Sequence, residues 1–255
     1  MEKRILFIDC SMGAAGDMLT SALLELMDNK EELLKRLNNI GLPEVNYIAD
    51  RVSKQGITGT HMRVVINGAE EAVDEGEHTA HIHSHNGGHM VHSHSSEHTA
   101  HTHHNMSDIE SIVRGLNLPE NVKEDVLAVY RLIAEAESAV HGKPVTEIHF
   151  HEVGNLDAIA DISAVCLLMN EIKADKIIAT PIHVGSGEVR CAHGILPVPA
   201  PATAYLLKNI PIYGGSIRGE LCTPTGAALL RHFVVSYGNM SVMSTKKIGY
   251  GVGKK

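Results

Sequence analysis

Tryptophan is absent from this chain of 255 residues, and aromatic residues together make up only 4% of it. An aromatic platform for stacking bases or sugars is therefore not expected. Positive charge is in deficit, with 22 Lys and Arg against 30 Asp and Glu and a formal net charge of −8. That balance argues against nucleic acid, whose phosphates require a basic surface. It also gives no electrostatic reason to meet an anionic membrane. No apolar run, 159–169 included, approaches the roughly 20 residues that a membrane-spanning helix needs. The start, Met1-Glu2-Lys3-Arg4 followed by Ile5-Leu6-Phe7-Ile8, has neither the apolar stretch nor the small-residue cleavage site of a signal peptide. The four cysteines, Cys10, Cys166, Cys191 and Cys222, form no C-x-x-C pair and no disulfide framework. Reduced thiols fit the cytoplasm, which is the expected location. Neither G-x-x-x-x-G-K-[S/T] nor G-x-G-x-x-G occurs, so the common nucleotide-binding loops are excluded.

What is present begins with 44% hydrophobic residues, enough to bury a core. Residues 5–9 read as a strand, 13–16 as a glycine-bearing turn, and 17–27 and 30–39 as helices, the second stopped by Gly41 and Pro43. Residues 45–52 and 60–66 read as two strands of a hairpin around Lys54-Gln55-Gly56-Ile57-Thr58-Gly59. From 68 to 105 apolar periodicity vanishes and eleven histidines lie between His78 and His104. Within it Glu77-His78-Thr79-Ala80-His81 recurs as Glu97-His98-Thr99-Ala100-His101. Too few apolar groups are present to offset the entropy of ordering, so 68–105 is expected to be a disordered, metal-binding insertion. The pattern Ser107-Asp108-Ile109-Glu110 predicts a capping box and a helix. Helices are also predicted over 120–141, 155–169, from Pro199 and Pro201 to 207, and from the N-cap Thr223 with Pro224 to 235. Strands are predicted over 148–153 and 176–183. This alternation predicts an α/β fold, a mixed layered sheet with flanking helices, built from 1–67 and 106–255 as one domain.

The chemistry-bearing groups begin with His149-Phe150-His151-Glu152. On a strand, His149 and His151 share a face and can hold one metal, with Phe150 turned into the core. Neutral imidazole suits nickel, zinc, copper and iron alike, so ligand type leaves the metal open. Asp157 and Asp161, four apart on the following helix, supply carboxylates as ligands or as partners fixing a histidine tautomer. The bland alternative is a strand-end histidine pair with aspartates complementing a helix dipole. The histidine-rich tract suits capture or storage of metal rather than catalysis, because a floppy chain cannot preorganise a reaction. Asp9, Gly13, Gly16 and Asp17 form a loop that either approaches a phosphate, with a cation offsetting the aspartates, or is simply a tight turn. Cys191 and His193, two apart, read as a metal pair, a nucleophilic pair, or a core thiol beside a surface histidine. Glu220-Leu221-Cys222-Thr223-Pro224-Thr225-Gly226 ends on a helix N-terminus, an anion site or only a well-capped helix.

Together these segments resemble a known family. They are Asp9-Cys10-Ser11-Met12-Gly13-Ala14-Ala15-Gly16-Asp17-Met18, Lys54-Gln55-Gly56-Ile57-Thr58-Gly59-Thr60, the histidine-rich insertion, and Ile148-His149-Phe150-His151-Glu152-Val153-Gly154. Next come the run from Cys191-Ala192-His193-Gly194 to Pro201-Ala202-Thr203, then Glu220 to Ala228, and Ile248-Gly249-Tyr250-Gly251. In this order they resemble the LarC family, nickel-insertion proteins of nickel-pincer nucleotide cofactor synthesis. The resemblance implies a nickel insertase, a cyclometallase of the lyase class. Such an enzyme places Ni(II) in pyridinium-3,5-bisthiocarboxylic acid mononucleotide through two Ni–S bonds and one Ni–C bond. The product is the cofactor of lactate racemase-type enzymes, the implied recipients. The resemblance also implies CTP with Mg or Mn, acting through a C-terminal half that this chain is expected to lack. Forming the Ni–C bond requires loss of the ring proton between the two thiocarboxylates.

Carried onto these residues, Glu152, Asp157 and His193 are the candidate bases, in that order. His149, His151, Asp9, Asp161 and Cys191 are the candidate nickel ligands. Gly13, Gly16, Thr223, Thr225 and Gly226 are the candidate seat of the substrate phosphate. A homo-oligomer is a further expectation. Two rivals predict different behaviour: a nickel chaperone or storage protein with no chemistry of its own, and a zinc hydrolase using His149 and His151.

Overall fold

A computed structural model describes residues 3–70, 104–150, 153–191 and 193–253. Along the chain run β1 (Ile5–Ile8), α1 (Gly16–Glu25), α2 (Lys30–Leu37), β2 (Val45–Lys54), β3 (Ile57–Ile66) and β4 (Ala69–Glu70). Then come α3 (Met106–Gly115), α4 (Glu120–His141), a short 3-10 turn (Val145–Glu147), α5 (Leu156–Ile172) and β5 (Lys176–Ala179). The chain continues with β6 (Ile182–His183), β7 (Gly185–Ser186), β8 (Glu188–Cys191), β9 (Gly194–Pro197), α6 (Pro201–Leu206), β10 (Ile212–Tyr213), β11 (Gly219–Glu220), α7 (Pro224–Phe233) and β12 (Ser236–Tyr237).

The class is mixed α and β, as the alternation predicts, but the strands do not form one layered sheet. They divide into a parallel sheet β1-β5-β12, an antiparallel sheet β2-β3-β4, and three two-stranded ribbons among the described residues. In the parallel sheet β5 is central, with Ile5 opposite Lys176 and Ser236 opposite Ile178. The predicted strand 176–183 is broken in two by Thr180 and Pro181. Pro181 has no N–H to donate to a ladder, and β6 pairs with β10 instead.

Helix α5 is the centre of the core. The Asn155 side chain accepts the Ala158 N–H (2.9 Å) and so fixes its start. Every residue from 158 to 169 is buried. A helix apolar on all sides must be wrapped on all sides, and α1, α4, α7 and β3 do this. Helix α4 carries Val122, Val126, Tyr130 and Ile133 at helical spacing on its buried face.

Boundaries differ from the sequence reading in instructive ways. The β2–β3 hairpin turns on Gln55 and Gly56 alone, both at positive φ (52° and 82°), the geometry of a two-residue primed turn. The strands therefore reach Lys54 and Ile57. The insertion was expected to begin at Gly68, yet β4 pairs with β3 first. The rest of that expectation falls on 71–103, outside the described residues. The capping box lies two residues earlier than predicted. Asn105 accepts from Ser107 and Asp108 N–H, and the Asp108 carboxylate accepts the Asn105 N–H in return. Asn serves as well as Ser at an N-cap, and Asp at N3 replaces the expected Glu. Of the predicted strand 148–153, which follows the 3-10 turn, the described residues show one isolated bridge, Asn105 to His149, and 151–152 lie outside them.

The segment from Lys247 to Gly253 closes over α1. Thr60 N–H donates to the Tyr250 carbonyl (3.0 Å) and Val252 N–H to the Thr60 carbonyl (2.9 Å). The Glu25 carboxylate accepts from Thr60 Oγ1 (2.7 Å) and Tyr250 N–H (2.8 Å). A Cβ on Gly251 would overlap the Met18 carbonyl oxygen, so only glycine lets this segment lie on the helix. The Lys54–Thr60 and Ile248–Gly251 motifs are thus two halves of one clasp. No described helix is long and apolar enough to cross a membrane.

Candidate functional site

The parallel strands β1, β5 and β12 end on one side of their sheet, and ligand sites of α/β proteins form beyond such carboxyl ends. There the chain leaves β1 through Asp9. Asp9 is exposed, and its Oδ1 accepts from Ser11 N–H (2.9 Å) and Ser11 Oγ–H (2.5 Å). This Asx turn shapes the loop into α1. Cys10 N–H donates to Thr180 Oγ1 (2.8 Å), tying the loop to the end of β5.

The loop 9–16 and the segment 220–226, distant in sequence, lie side by side. Ala14 N–H donates to the Leu221 carbonyl and Thr223 N–H to the Ala14 carbonyl, both at 3.0 Å. Thr223 caps α7 by accepting the Gly226 N–H (3.2 Å), and its hydroxyl meets that of Thr225 (3.0 Å). The predicted phosphate-seat residues Gly13, Gly16, Thr223, Thr225 and Gly226 are therefore brought together. The glycines have a further reason to be there. A Cβ on Gly13, which sits at φ 84°, would overlap the Leu221 carbonyl oxygen, and one on Gly226 would overlap that of Ala14. The space beside these two glycines holds protein backbone.

Asp161 joins the same assembly. It is 8% exposed and packs its carboxylate against Gly16, where a Cβ would meet it. Asp157, one turn earlier, is half-buried. The two carboxylates face inward near Tyr47 and Tyr130, whose hydroxyls are pushed well above the usual tyrosine range, by burial first and then by Asp161 and Asp157. Both phenols stay protonated and donate, Tyr47 to the Ala160 carbonyl (2.8 Å) and Tyr130 to that of Val153 (3.2 Å).

His149 is exposed between the buried Ile148 and Phe150. Phe150 points into the core, as expected, edge-on to Tyr130 with ring centres 5.9 Å apart. Phe150 N–H donates to the His104 carbonyl (3.1 Å), and Asn105 bridges to His149. The last residue of the histidine-rich tract is thereby fixed against the His149-Phe150 segment. His151 and Glu152 lie outside the described residues. Cys191 is half-buried at the end of β8. His193, after Ala192 (also outside), sets its ring 4.9 Å from that of His141 at the end of α4. His141 Nε2 lies 3.2 Å from Glu137. Among the described residues no three His, Cys, Asp or Glu side chains converge closely enough to hold a metal ion. Asp9, His149, Asp161 and Cys191 therefore do not form a ready-made cluster.

Of the four thiols, burial drives three away from reactivity. Cys10 is pushed up to about 12, by burial first and then by Asp9. Burial also raises Cys166 and Cys222, with Asp125 adding to the first and Cys10 and Glu220 to the second. The thiolate is the nucleophile and metal ligand, so these three are inert and only Cys191 is accessible. Iodoacetamide at pH 8 should label one thiol of the folded chain, Cys191, and all four after denaturation. Mass spectrometry of the digested protein reads the result, and early labelling of Cys10 or Cys222 would contradict it.

One residue escaped the sequence reading. His183, 6% exposed, stands on β6 against the β1 loop, its N–H donating to the Cys10 carbonyl (3.1 Å). The signal was a histidine just past an apolar strand, where parallel sheets place function. A recess of about 240 Å³ between α4, α6 and α7, lined by Glu135, Tyr205, Lys208 and Arg231 among others, contains none of these residues. There Arg231 already donates to the carbonyls of Leu206 (2.8 Å) and Lys208 (3.2 Å), a tie between helices.

Comparison with known proteins adds a family. A family model described as nickel insertion protein matches residues 6–255. The pyridinium-3,5-bisthiocarboxylic acid mononucleotide nickel insertion protein of Clostridium kluyveri is 42% identical over 253 residues, covering 99% of this chain and 59% of that protein. The protein of the same description from Clostridium acetobutylicum is 43% identical, covering 99% and 61%. That from Geobacillus kaustophilus is 38% identical, covering 99% and 56%. The chain thus spans about three fifths of the length of these relatives. No solved structure matches it.

Proposed function

The chain belongs to the nickel insertion protein family, and from that premise we propose that it delivers Ni(II) into pyridinium-3,5-bisthiocarboxylic acid mononucleotide. The observation that carries this reading is the junction at His104, where a histidine-rich tract ends against His149-Phe150. Metal gathered along the tract reaches His149 and His151 without leaving the protein. Two neutral imidazoles hold Ni(II) weakly enough to surrender it to a pair of sulfur donors. Asp9, Asp161 and Cys191 are the further nickel contacts of this proposal. The helix N-terminus at Thr223, Thr225 and Gly226, with the Gly13–Gly16 loop beside it, seats the phosphate of the nucleotide.

The reaction is a cyclometallation, assigned to the lyase class. The nucleotide-dependent part, with CTP and Mg or Mn, belongs in this proposal to sequence that the longer relatives contain. The product serves lactate racemase-type enzymes. That no three His, Cys, Asp or Glu side chains converge among the described residues fits transient passage of the metal. It equally fits the rival reading, a nickel chaperone or storage protein that never binds the nucleotide.

One experiment separates them. The chain is incubated with nickel and the bisthiocarboxylated nucleotide, with and without CTP and the remaining C-terminal part of the Clostridium kluyveri relative. Mass spectrometry then reads the nickel-containing nucleotide. Its formation in either arm supports insertion. Nickel bound to the chain with no product and no nucleotide binding would leave the chaperone reading in its place.

A further inference from the structure

His183 is built as a proton acceptor. Its Nδ1 lies 2.9 Å from the Ser11 carbonyl oxygen, which can only accept, so Nδ1 carries the ring proton. In the neutral ring Nε2 then holds a bare lone pair. That atom is buried and meets no hydrogen-bonding partner among the described residues, an arrangement that costs stability and calls for a reason. The ring is oriented from two sides. Tyr213 stacks on it with centres 4.7 Å apart and planes 7° from parallel, and the Ser11 carbonyl fixes its rotation.

An exposed glycine turn covers Nε2. Gly215 lies directly over it, close enough that a Cβ there would overlap the nitrogen. Residues 211–218 are exposed throughout. Strand β10 is anchored through Ile182 N–H to Pro211 and Val184 N–H to Tyr213. Beyond it, Ser186 Oγ–H to the Ile217 carbonyl (2.8 Å) holds the turn before β11. Two consecutive glycines, Gly214 and Gly215, make this turn pliable. Lifting of this turn would open Nε2 beside the β1 loop.

We propose that His183, its tautomer fixed by the Ser11 carbonyl and its Nε2 screened by the 214–217 turn, is the general base for the insertion step. This rests on the nickel-insertion reading given above. In that step the ring C–H between the two thiocarboxylates breaks, its electron pair forms the bond to Ni(II), and the proton passes to His183 Nε2. No oxidant or reductant is needed. Glu152, Asp157 and His193 are the other candidates for this role.

The test uses His183→Asn, whose amide N–H keeps the donor to Ser11 but has nothing at the Nε2 position. Product formation should fall about 100-fold or more, the usual contribution of a general base, with nucleotide binding retained. A His183→Ala variant should regain rate when imidazole is added, which a purely structural role would not produce. Asparagine and alanine variants with near wild-type rates would overturn the assignment. If the wild-type chain forms no product in any arm, the insertion reading fails, and exchange of the ring proton in D2O with nickel present, followed by proton NMR, still decides the base. Faster exchange with wild type than with His183→Asn supports it. Equal rates, or no acceleration by wild type, overturn it.

Discussion

Replacing both His149 and His151 with alanine should abolish formation of the nickel-containing nucleotide, while deleting 78–104 should only raise the nickel concentration required. The contrast follows from what each segment can do. In the proposed reading the tract concentrates metal through many interchangeable imidazoles, so excess nickel would substitute for it. In the same reading His149 and His151 are the delivery pair, and no concentration of free metal replaces a ligand pair at that point. His149 is exposed, so its removal takes little from the core, and a single His149→Ala change should alter stability by no more than about 0.5 kcal/mol. Product yield against nickel concentration separates the two variants. Full activity of the double variant would sink the assignment, and equal loss in both would merge the tract with the site.

Alanine at Gly13 or Gly226 should each destabilise the fold by about 3 kcal/mol, at the upper end of overpacking effects. Each new Cβ would meet a backbone carbonyl oxygen, Leu221 in one case and Ala14 in the other. Those carbonyls accept N–H donors from Ala14 and Thr223, so neither can move without breaking the link between the two loops. Gly13 adds strain from its φ of 84°. Gly115, at the end of α3, has nothing among the described residues within 4 Å of its Cβ position. Alanine there should be neutral or stabilising by up to about 1 kcal/mol. For a chain of this size the two damaging changes should lower the melting temperature by roughly 6 to 12 °C. A Gly226→Ala protein melting like wild type would mean that 9–16 and 220–226 do not pack as described.

The glycines show how far local pattern reaches. In sequence, Gly13 and Gly16 mark a turn before a helix, and Thr223 and Pro224 mark a helix start; both readings hold. Nothing local says that the two turns touch, because their contact joins positions some two hundred residues apart. The phosphate-seat reading drew on the turns alone, and the structure gives the same glycines a packing reason besides. Strand 176–183 was misjudged for a related reason. Its apolar content reads as continuous, but Pro181 redirects the chain to a different partner, β10. The 148–153 segment has the alternation of a strand, with Ile148 and Phe150 buried and His149 exposed, yet its described residues carry only one bridge.

The sequence by itself determined the helices, a hairpin turning within 54–59, the cap at Thr223, and the ordered set of motifs that marks the family. These depend on periodicity and on side chains reaching backbone a few residues away. Tertiary structure alone decided that Asp161 backs the β1 loop, that Glu25 clasps Thr60 and Tyr250, that His104 abuts Phe150, and that His183 holds its Nε2 buried beneath Gly215. Each of these is a long-range meeting of one polar group with one backbone atom, and such a meeting leaves no period in the chain. Its energy comes from burying the two partners together, which only the folded arrangement specifies.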